Sequence, residues 1–274
     1  MTFVKSHGLG NDYLVVDANT LGFELTPARI RQICDRRTGV GADGILALVD
    51  ATAADFGVRI FNPDGSEAEK SGNGLRIFAK FLYDHGYTER TEFTVHTHGG
   101  TVCARLLLMH RRVTAVRVDM GRAVIDRSLT ALTVNGATLR VVSLSVGNPH
   151  CVVIADALSL PDLLRLGPLI EHHPAFPNRT NVQFAHVLSR SVVRALVWER
   201  GAGHTLASGS SSCAVAAACF DRGLVDGQVT VQLEGGDLAI EVDRDLNLTM
   251  TGPVEEIYTG TFSEAFRSQL LRAG

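Results

Sequence analysis

An internal repeat constrains this chain more than any other feature of its 274 residues. Asn11 follows a glycine and leads into an apolar run, and Asn148 does the same in the second half. Ser71 and Ser208 each precede a glycine and a second apolar segment. Both pairs are separated by 137 residues, which is half the length of the chain. The sequence therefore predicts two copies of one module, with a ligand bound between them.

Each half is predicted to be a strand-rich layer around one central helix, which is an α+β fold. A helix is expected over residues 74–85, because its apolar side chains recur at helical spacing. Residues 210–222 are a second candidate helix, apolar on nearly every side as buried helices are. Strands are predicted at 3–6, 13–17, 45–49, 58–61, 140–146, 151–155, 182–188, 192–198, 228–233, 238–242 and 247–250, a meander at 91–120, and further helices at 27–36 and from Ser159 onward.

Composition excludes several classes of function. The 26 basic and 29 acidic residues leave a net charge of −3, so a nucleic-acid-binding surface is not expected. No apolar run approaches the roughly 18 residues of a membrane span, and the N-terminus lacks the apolar core of a signal peptide. The five cysteines are scattered, which argues against a disulfide framework. A cytoplasmic protein with reduced thiols is expected.

Two motifs are rejected as ligand sites. Residues 39–44 match the glycine pattern of a dinucleotide site, but the predicted helix precedes them and the predicted strand follows, the reverse of what that site needs. His96 with His98, and His172 with His173, lack a third metal ligand at a defined spacing. No metal site is expected.

The residues that point to chemistry are Ser71 and Ser208, each on a glycine turn just before a predicted helix. The first N–H groups of a helix are unpaired and its dipole is positive there, so each turn is a candidate anion site. Asn62 and Glu199 lie nine residues upstream of the two serines. Taken singly, each serine would be read as a helix cap. As a symmetric pair they predict a site that binds a carboxylate and stabilises charge beside it.

Seven segments extend this pattern along the chain. They are HGLGND (7–12), RRTGVGADG (36–44), FNPDGSEAE (61–69), SGNGLR (71–76), GNPH (147–150), TNVQF (180–184) and ERGAG-TLASG (199–209). On these motifs the whole chain resembles the diaminopimelate epimerase family, the PLP-independent amino-acid epimerases and racemases of lysine and cell-wall biosynthesis. The resemblance implies an isomerase that needs no cofactor and takes a small amino acid as substrate.

The resemblance also implies the domain organisation. It predicts an N-terminal domain of residues 1–118 joined by 263–274, because the C-terminal segment returns to the first domain in that family. The C-terminal domain would then be residues 119–262. The family further suggests a homodimer.

The acid/base positions depart from the family pattern. In the family two cysteines face each other across the substrate α-carbon, where a thiolate removes the α-proton and a thiol returns one. Ser71 and Ser208 take those positions here. The pKa of a hydroxyl lies closer to that of water than to the thiol value of about 8.5. A gap of roughly 5 units costs on the order of 7 kcal/mol, or about five orders of magnitude in rate.

The resemblance assigns substrate contacts to a larger set of residues. The distal amino-acid end of the substrate is expected at Asn11, Asn62, Asn148, Asn181 and Arg200, and the reacting end at Glu199, Gly72, Asn73, Gly209 and Ser210. An arginine suits a carboxylate because it binds it through two hydrogen bonds. His150 and His204 are candidate helpers, since a histidine paired with a serine activates the hydroxyl.

Three functions remain open at this point. The first is epimerisation at an α-carbon, with diaminopimelate (LL to meso) or a related amino acid as substrate. The second is a related isomerase or dehydratase, whose easier proton a serine hydroxyl could move. The third is a catalytically impaired protein that binds an amino acid without turning it over.

Overall fold

The chain divides into two compact units in the computed structural model, which describes residues 2–273. Unit 1 combines Met1–Val118 with Pro253–Gly274, and unit 2 is Asp119–Gly252. The elements of the first stretch are β1 (Thr2–Gly8), β2 (Asn11–Asp17), a 3-10 turn (Ala18–Thr20), α1 (Pro27–Cys34), β3 (Ile45–Val49), β4 (Phe56–Phe61), β5 (Glu67–Ala68), α2 (Gly72–Asp84), β6 (Glu92–Thr97), β7 (Gly100–Met109) and β8 (Arg112–Arg122). The rest are β9 (Val124–Asp126), β10 (Ala131–Val134), β11 (Ala137–Ser145), β12 (Pro149–Ile154), α3 (Leu160–Glu171), β13 (Asn181–Ser189), β14 (Val192–Glu199), β15 (Gly203–Thr205), α4 (Gly209–Asp221), β16 (Gln228–Leu233), β17 (Gly236–Val242), β18 (Asn247–Gly252), β19 (Glu255–Thr261) and α5 (Glu264–Arg272).

The sheet of unit 1 has the strand order β19-β1-β2-β3-β4-β6-β7-β8, and β5 pairs with the end of β4. Two neighbouring pairs are parallel, β2 with β3 and β4 with β6. The chain between each parallel pair carries a helix: α1 separates β2 from β3, and α2 separates β4 from β6. Parallel neighbours require such crossover connections.

The sheet of unit 2 repeats this order as β9-β11-β12-β13-β14-β16-β17-β18. Its parallel pairs are β12 with β13 and β14 with β16, with α3 and α4 in the crossovers. Even the register agrees: Leu14 aligns with Ile45, and Cys151 with Val182, each 137 residues further along. The prediction of two similar α+β modules is confirmed.

The helices that carry the candidate serines are the most buried of the molecule. Helix α2 begins after Ser71 and packs against β1, β2 and β7, with Leu75 and Phe78 fully buried. Helix α4 begins after Ser208 and packs against seven strands from β11 to β18. Its alanines and cysteines leave little side-chain volume, which allows the strands to approach it closely. Both helices therefore hold their N-termini rigidly.

Helix bounds follow from caps that the sequence displays. Ser71, Ser208 and Ser159 each accept a hydrogen bond from the third residue after them, as N-caps do. Thr26 caps α1 in the same way, with Pro27 at its first position. The glycine-rich residues 39–44 lie between α1 and β3, so the helix precedes them and the strand follows.

The predicted boundary at residue 263 is ten residues late. Strand β19 pairs with β1 along its whole length, from Thr2 opposite Thr261 to His7 opposite Glu255. The return to unit 1 therefore starts at Pro253. Phe262 and Leu270 then complete the apolar core of that unit. Strand pairing decides the boundary here, and it leaves no mark in the local sequence.

Candidate active site

The N-terminus of α2 presents one serine and two backbone N–H groups. The Oγ of Ser71 accepts a hydrogen bond from the Gly74 N–H at 3.0 Å, and its carbonyl accepts from the Leu75 N–H at 2.8 Å. The N–H groups of Gly72 and Asn73 precede these first helical bonds. They face the end of the helix, where an anion binds most favourably.

Tyr13 reaches this serine from the neighbouring sheet. Its Oη lies 3.3 Å from the Oγ of Ser71. The ring packs against Gly44, where a Cβ would come within 2.7 Å of the Tyr13 Cε1 and 2.3 Å of the Phe61 carbonyl oxygen. Sequence analysis did not find Tyr13, and the signal that could have found it is the side-chain-free position at Gly44 opposite it.

A chain of amide hydrogen bonds fixes the residues beside Ser71. The Nδ2 of Asn73 donates to the Oδ1 of Asn11 at 3.1 Å, and the Nδ2 of Asn11 donates to Asp43 at 3.0 Å. Arg36 in turn donates to Asp43 at 2.8 Å. The Oδ1 of Asn73 is buried and receives no hydrogen bond from the residues that the structure describes. Asn11 and Asn73, which the resemblance assigned to opposite ends of the substrate, are thus directly bonded to each other.

The carboxylate of Asp12 lies next to this series of hydrogen bonds. Asp12 forms ion pairs with Lys5 and with Arg36, the latter at 2.6 Å. Burial acts to raise the pKa of Asp12, but hydrogen bonds from Arg36 and Lys5 outweigh it and hold that pKa below its ordinary value. Lys5 is itself buried and also donates to the carbonyl of Gly41. The carboxylate of Asp12 is therefore a fixed negative charge that anchors β1 to the glycine-rich turn.

The N-terminus of α4 repeats the arrangement at α2. The Oγ of Ser208 accepts from the Ser211 N–H at 3.4 Å, and its carbonyl accepts from the Ser212 N–H at 3.0 Å. The N–H groups of Gly209 and Ser210 precede these bonds. Ser208 is 3% exposed, so it is buried, whereas Ser71 is partly exposed.

His150 lies behind this end of α4 and is fully buried. Its Nε2 is 2.8 Å from the Oδ1 of Asn148, and its Nδ1 is 3.0 Å from the Nε2 of Gln183. An amide oxygen only accepts and an amide nitrogen only donates, so the proton belongs on Nε2 of a neutral ring. Gln183 also donates to the Oγ of Ser211 at 2.9 Å. His150 is thus linked to α4 through Gln183 and Ser211, not through Ser208.

Burial keeps the His150 ring neutral. It lowers the pKa of His150 to about 3, against a smaller opposing effect of the hydrogen bond from Gln183, while the charge of Arg200 lowers it further. Gln183 was missed by sequence analysis, although it lies inside the TNVQF segment. A polar side chain within an otherwise apolar strand is the signal that could have found it.

Asn181 joins two other predicted residues of unit 2. Its Nδ2 donates to the carbonyl of Pro149 at 2.9 Å, and its Oδ1 accepts from the backbone N–H of Arg200 at 2.9 Å. The Arg200 guanidinium donates to the carbonyl of Asn178 at 3.2 Å and is otherwise exposed. Asn181 thereby holds the Asn-Pro turn against the start of the loop that carries Arg200.

An open groove of about 330 Å³ lies over this turn in unit 2. Asn148 and Arg200, both predicted to bind substrate, line it together with Arg179. Arg179 is held at 3.3 Å by the buried carboxylate of Glu171. The remaining lining residues are Ser145, Gly147, Pro149, Ala175, Phe176, Pro177 and Asn178. Two guanidinium groups beside an amide suit a carboxylate ligand.

Asn62 and Glu199 lie at the ends of equivalent strands. Asn62 follows β4, and its Nδ2 donates to the Oγ of Ser66 at 2.9 Å. Glu199 ends β14, and its carbonyl accepts from the Ala202 N–H at 3.1 Å. Asn62 is therefore engaged in its own turn, and its amide does not join the chain formed by Asn11 and Asn73.

No hydrogen bond joins His204 to Ser208 in the part of the chain that the structure describes, and the helper role of His204 stays a prediction. His204 lies on β15 opposite Trp198, and its Nε2 is 2.5 Å from Glu234. The hydroxyl of Ser208 is bonded instead to the backbone of its own helix. The reason is that Glu234, in the turn between β16 and β17, offers the histidine a carboxylate on the surface.

The thiols of the chain are poor candidates for the missing acid/base groups. Burial raises the pKa of Cys34, Cys151 and Cys219 to about 12 each. Cys213 is fully buried inside α4, one turn beyond the cap. A thiol acts as a nucleophile or base only as the thiolate, which burial disfavours.

Two further searches of residues 2–273 gave negative results. No three His, Cys, Asp or Glu side chains there are grouped so that they could hold a metal ion. Nor does this part of the chain contain a helix long and apolar enough to span a membrane.

Comparison with known proteins identifies the family to which the chain is similar. The sequence model of the family described as diaminopimelate epimerase matches residues 3–125 and 142–257. A relative named diaminopimelate epimerase 2 from Nostoc sp. is 43% identical over 276 residues, which is 96% of each chain. A diaminopimelate epimerase from Pelotomaculum thermopropionicum is 42% identical over 96% of this chain and 99% of its own.

The fold has also been seen in solved structures. The crystal structure of a probable proline racemase from Agrobacterium radiobacter superimposes with a TM-score of 0.75. The alignment covers 96% of this chain and 93% of the other, at 16% sequence identity. At that identity the likeness concerns the fold alone.

Proposed function

This chain belongs to the diaminopimelate epimerase family, and on that premise we propose which residues move the proton and which substrate they serve. As a member it is an isomerase, a PLP-independent amino-acid epimerase. The proposed substrate is diaminopimelate, converted between the LL and meso forms, or a related amino acid. Ser71 and Ser208 take the two acid/base roles.

The observation that carries the proposal is the matched pair of helix N-termini. Each offers a hydroxyl and two N–H groups that precede the first helical bonds, those of Gly72 and Asn73 in α2 and of Gly209 and Ser210 in α4. We assign the α-carboxylate of the substrate to these N–H groups. Removing an α-proton places negative charge on the carboxylate, and fixed donors stabilise that charge as it develops.

The two hydroxyls then exchange a proton with the α-carbon. One serine, present as the alkoxide, takes the α-proton and becomes a hydroxyl, which leaves a carbanion. The other hydroxyl delivers its proton to close the new C–H bond and is left as the alkoxide. A serine alone is a weak base, because its pKa is far above that of a thiol. The helix dipole and the cap hydrogen bond stabilise the alkoxide, which recovers part of the difference.

The groove of unit 2 supplies a candidate site for the distal end of the substrate. Arg200 and Asn148 line it, and we propose that they bind the distal carboxylate. Asn181 positions both, through Pro149 and the Arg200 backbone. Asn11 and Asn62 of unit 1 are proposed to bind the distal ammonium or carboxylate, and Glu199 the α-ammonium.

His150 is proposed as a support for this site and not as a base. Its ring is neutral and fully buried, and its Nε2–H bonds to the Oδ1 of Asn148. That bond turns the Nδ2 donor of Asn148 toward the groove. We also propose a cytoplasmic homodimer, as the resemblance to the family suggests.

The test is proton NMR of LL-diaminopimelate and a panel of free amino acids incubated with the protein in D₂O. Loss of the α-proton signal, together with the appearance of the second stereoisomer, is expected for one of them. Ser71→Ala and Ser208→Ala should each slow this loss by about 100-fold or more, the scale of one acid/base group. Ser128→Ala, in a surface turn of unit 2 where the hydroxyl bonds only Asp126 among the described residues, is the matched control and should keep the full rate.

The two alternatives give different results in the same experiment. Binding of diaminopimelate without any loss of its α-proton would overturn the proposed reaction and indicate an amino-acid-binding protein. Turnover of a hydroxylated or unsaturated acid, in the absence of amino-acid exchange, would indicate a related isomerase or dehydratase.

A further inference from the structure

The phenol of Tyr13 is a buried acidic group that the proposed reaction does not use. Its Oη lies 3.3 Å from the Oγ of Ser71, and the residue is 6% exposed. This separation is long for two hydroxyls, and catalytic hydrogen bonds of ligand-free enzymes are often long until substrate closes the site.

The sheet fixes the ring in this position. Tyr13 belongs to β2, and the next residue, Leu14, donates its N–H to the carbonyl of Gly44 at 3.0 Å. Any side chain at Gly44 would meet the ring, since a Cβ there would lie 2.7 Å from the Tyr13 Cε1. The absence of a side chain at Gly44 is what lets the phenol reach α2.

The hydrogen bonds that the Oγ of Ser71 can form limit the directions in which its own hydrogen can point. A serine oxygen carries one hydrogen and accepts two hydrogen bonds. One acceptor position is filled by the Gly74 N–H at 3.0 Å. Either hydroxyl could donate in the bond between Tyr13 and Ser71. In the relay proposed below, the Tyr13 hydroxyl donates, and the hydrogen of Ser71 then points in a third direction.

We propose that Tyr13 relays its phenol proton to Ser71 at the moment when Ser71 protonates the carbanion, a step that rests on the proposed function. The carbanion takes the hydroxyl hydrogen of Ser71, the Oγ of Ser71 takes the phenol hydrogen, and a phenolate remains. In the opposite direction the Oγ of Ser71 takes the α-proton, and the Tyr13 phenolate takes the hydrogen that Ser71 already carried. No atom or electron pair is left over in either direction.

The relay addresses the weakness of serine as an acid/base group. An aliphatic hydroxyl has a pKa near the 15.7 of water, whereas an ordinary phenol has a pKa of about 10. The charge left after the proton transfer therefore resides on a phenolate instead of an alkoxide. Because Tyr13 acts through Ser71, it is a positioning residue and not itself a catalytic one.

The experiment is a double-mutant cycle of Tyr13→Phe and Ser71→Cys. Epimerisation is followed in both directions by chiral chromatography, and kcat and KM are measured separately. Tyr13→Phe should lower kcat about 100-fold with KM changed less than twofold, the scale of one proton transfer group. In the Ser71→Cys protein, whose thiol needs no relay, the same change should cost less than threefold. Tyr87→Phe, which removes a phenol hydroxyl bonded to Asp17 elsewhere in unit 1, is the control.

The outcomes separate the relay from the proposed function. Equal losses in the serine and cysteine proteins would show that Tyr13 only packs, and would overturn the relay, as would an unchanged kcat for Tyr13→Phe. Absence of epimerisation by the unaltered protein with every substrate would overturn the proposed function and the relay together. An active Tyr13→Phe/Ser71→Cys protein would also show that the substitution does not prevent folding.

Discussion

The N-termini of α2 and α4 have the same backbone but different surroundings. Tyr13 and His150 are related by the offset of 137 residues and precede equivalent strand residues. Tyr13 is directed to the hydroxyl of Ser71, whereas His150 is directed to Asn148 and Gln183. The hydroxyl of Ser71 therefore has a phenol within reach, whereas within residues 2–273 the hydroxyl of Ser208 is bonded only to the backbone of its own helix.

A second difference accompanies the first. The strand neighbour of Tyr13 is Gly44, which makes room for the ring, while the equivalent residue beside His150 is Asn181. Asn181 uses the space to bond Pro149 and Arg200. Both halves thus share the serine cap and the N–H groups that precede the first helical bonds, which an anion site needs. The side chains behind the two caps differ. Under the proposed function both serines move a proton, and we expect the surroundings of Ser71 to assist that transfer and those of Ser208 to support substrate binding.

The largest expected effect comes from restoring thiols. A protein with Ser71→Cys and Ser208→Cys should epimerise diaminopimelate at least about 100-fold faster, because a thiol pKa lies several units below that of a hydroxyl. Ser208→Cys alone should give a larger gain than Ser71→Cys alone, since Tyr13 already assists Ser71. Initial rates of the three variants check this. Equal gains from the two single changes would show that the two ends do not differ in function.

Gly44→Ala tests the space that distinguishes the two ends. The new methyl group would overlap the Phe61 carbonyl oxygen and the Tyr13 ring, at 2.3 and 2.7 Å. We expect a loss of about 1–3 kcal/mol in the free energy of unfolding, the usual scale of overpacking, measured by urea denaturation. The φ of Gly44 is not positive, so the loss reports the steric overlap and not backbone strain. A Gly44→Ala protein as stable as the original would mean that the Tyr13 ring is not held by this contact.

His150 should make unit 2 sensitive to acid. Its pKa is lowered to about 3 in the folded chain, below the ordinary value of 6.5, so the unfolded chain binds a proton that the folded one does not. This contribution to stability is complete above pH 6.5 and is lost as the pH falls toward 3. Between pH 7 and 5 the loss should be about 2 kcal/mol.

The substitution His150→Gln removes this titration. The difference between its free energies of unfolding at pH 7 and pH 5 should be about 2 kcal/mol smaller than that of the unaltered protein. The exposed His98→Gln should leave the difference unchanged. An identical pH dependence for His150→Gln and the original chain would contradict a buried neutral ring.

The smallest expected effect concerns the caps themselves. Ser71→Ala removes a cap bond of 3.0 Å and should lower the free energy of unfolding by about 1 kcal/mol. Ser208→Ala removes a longer bond of 3.4 Å and should cost less. Glycine at either position should restore most of the loss, because glycine is a tolerated cap. Thermal unfolding of the four variants measures these losses. A larger loss for Ser208→Ala than for Ser71→Ala would show that the burial of Ser208 outweighs the length of its cap bond.

The two modules and their helices could be predicted because their signals are local. Caps, glycine turns and apolar spacing lie within a few residues, and the repeat at 137 compares only such short segments. The matched serines at the two helix ends were found in the same way. The segments that resemble a known family then indicated the candidate asparagines of the site. Two of them, Asn11 and Asn73, are hydrogen-bonded to each other.

The residues that link distant segments could not be found in this way. Tyr13 lies 58 residues from Ser71 in sequence, and Asp43 lies 32 from Asn11. Their meeting depends on which strands pair and in which register, and no short window contains that information. The bond between His204 and Glu234 was missed for the same reason, because the two residues are 30 positions apart in sequence.

Strand β19 sets an order for the synthesis of the chain. All of unit 2, Asp119–Gly252, has been made before Pro253 begins the segment that returns to β1. Until then β1 is an open edge, and the core of unit 1 lacks Phe262 and Leu270. N-terminal domains usually fold first during synthesis, but we expect unit 1 to reach its final packing only after unit 2 has been made. Unit 1 is completed last, and β1 remains without its partner β19 while the more than one hundred residues of unit 2 are translated.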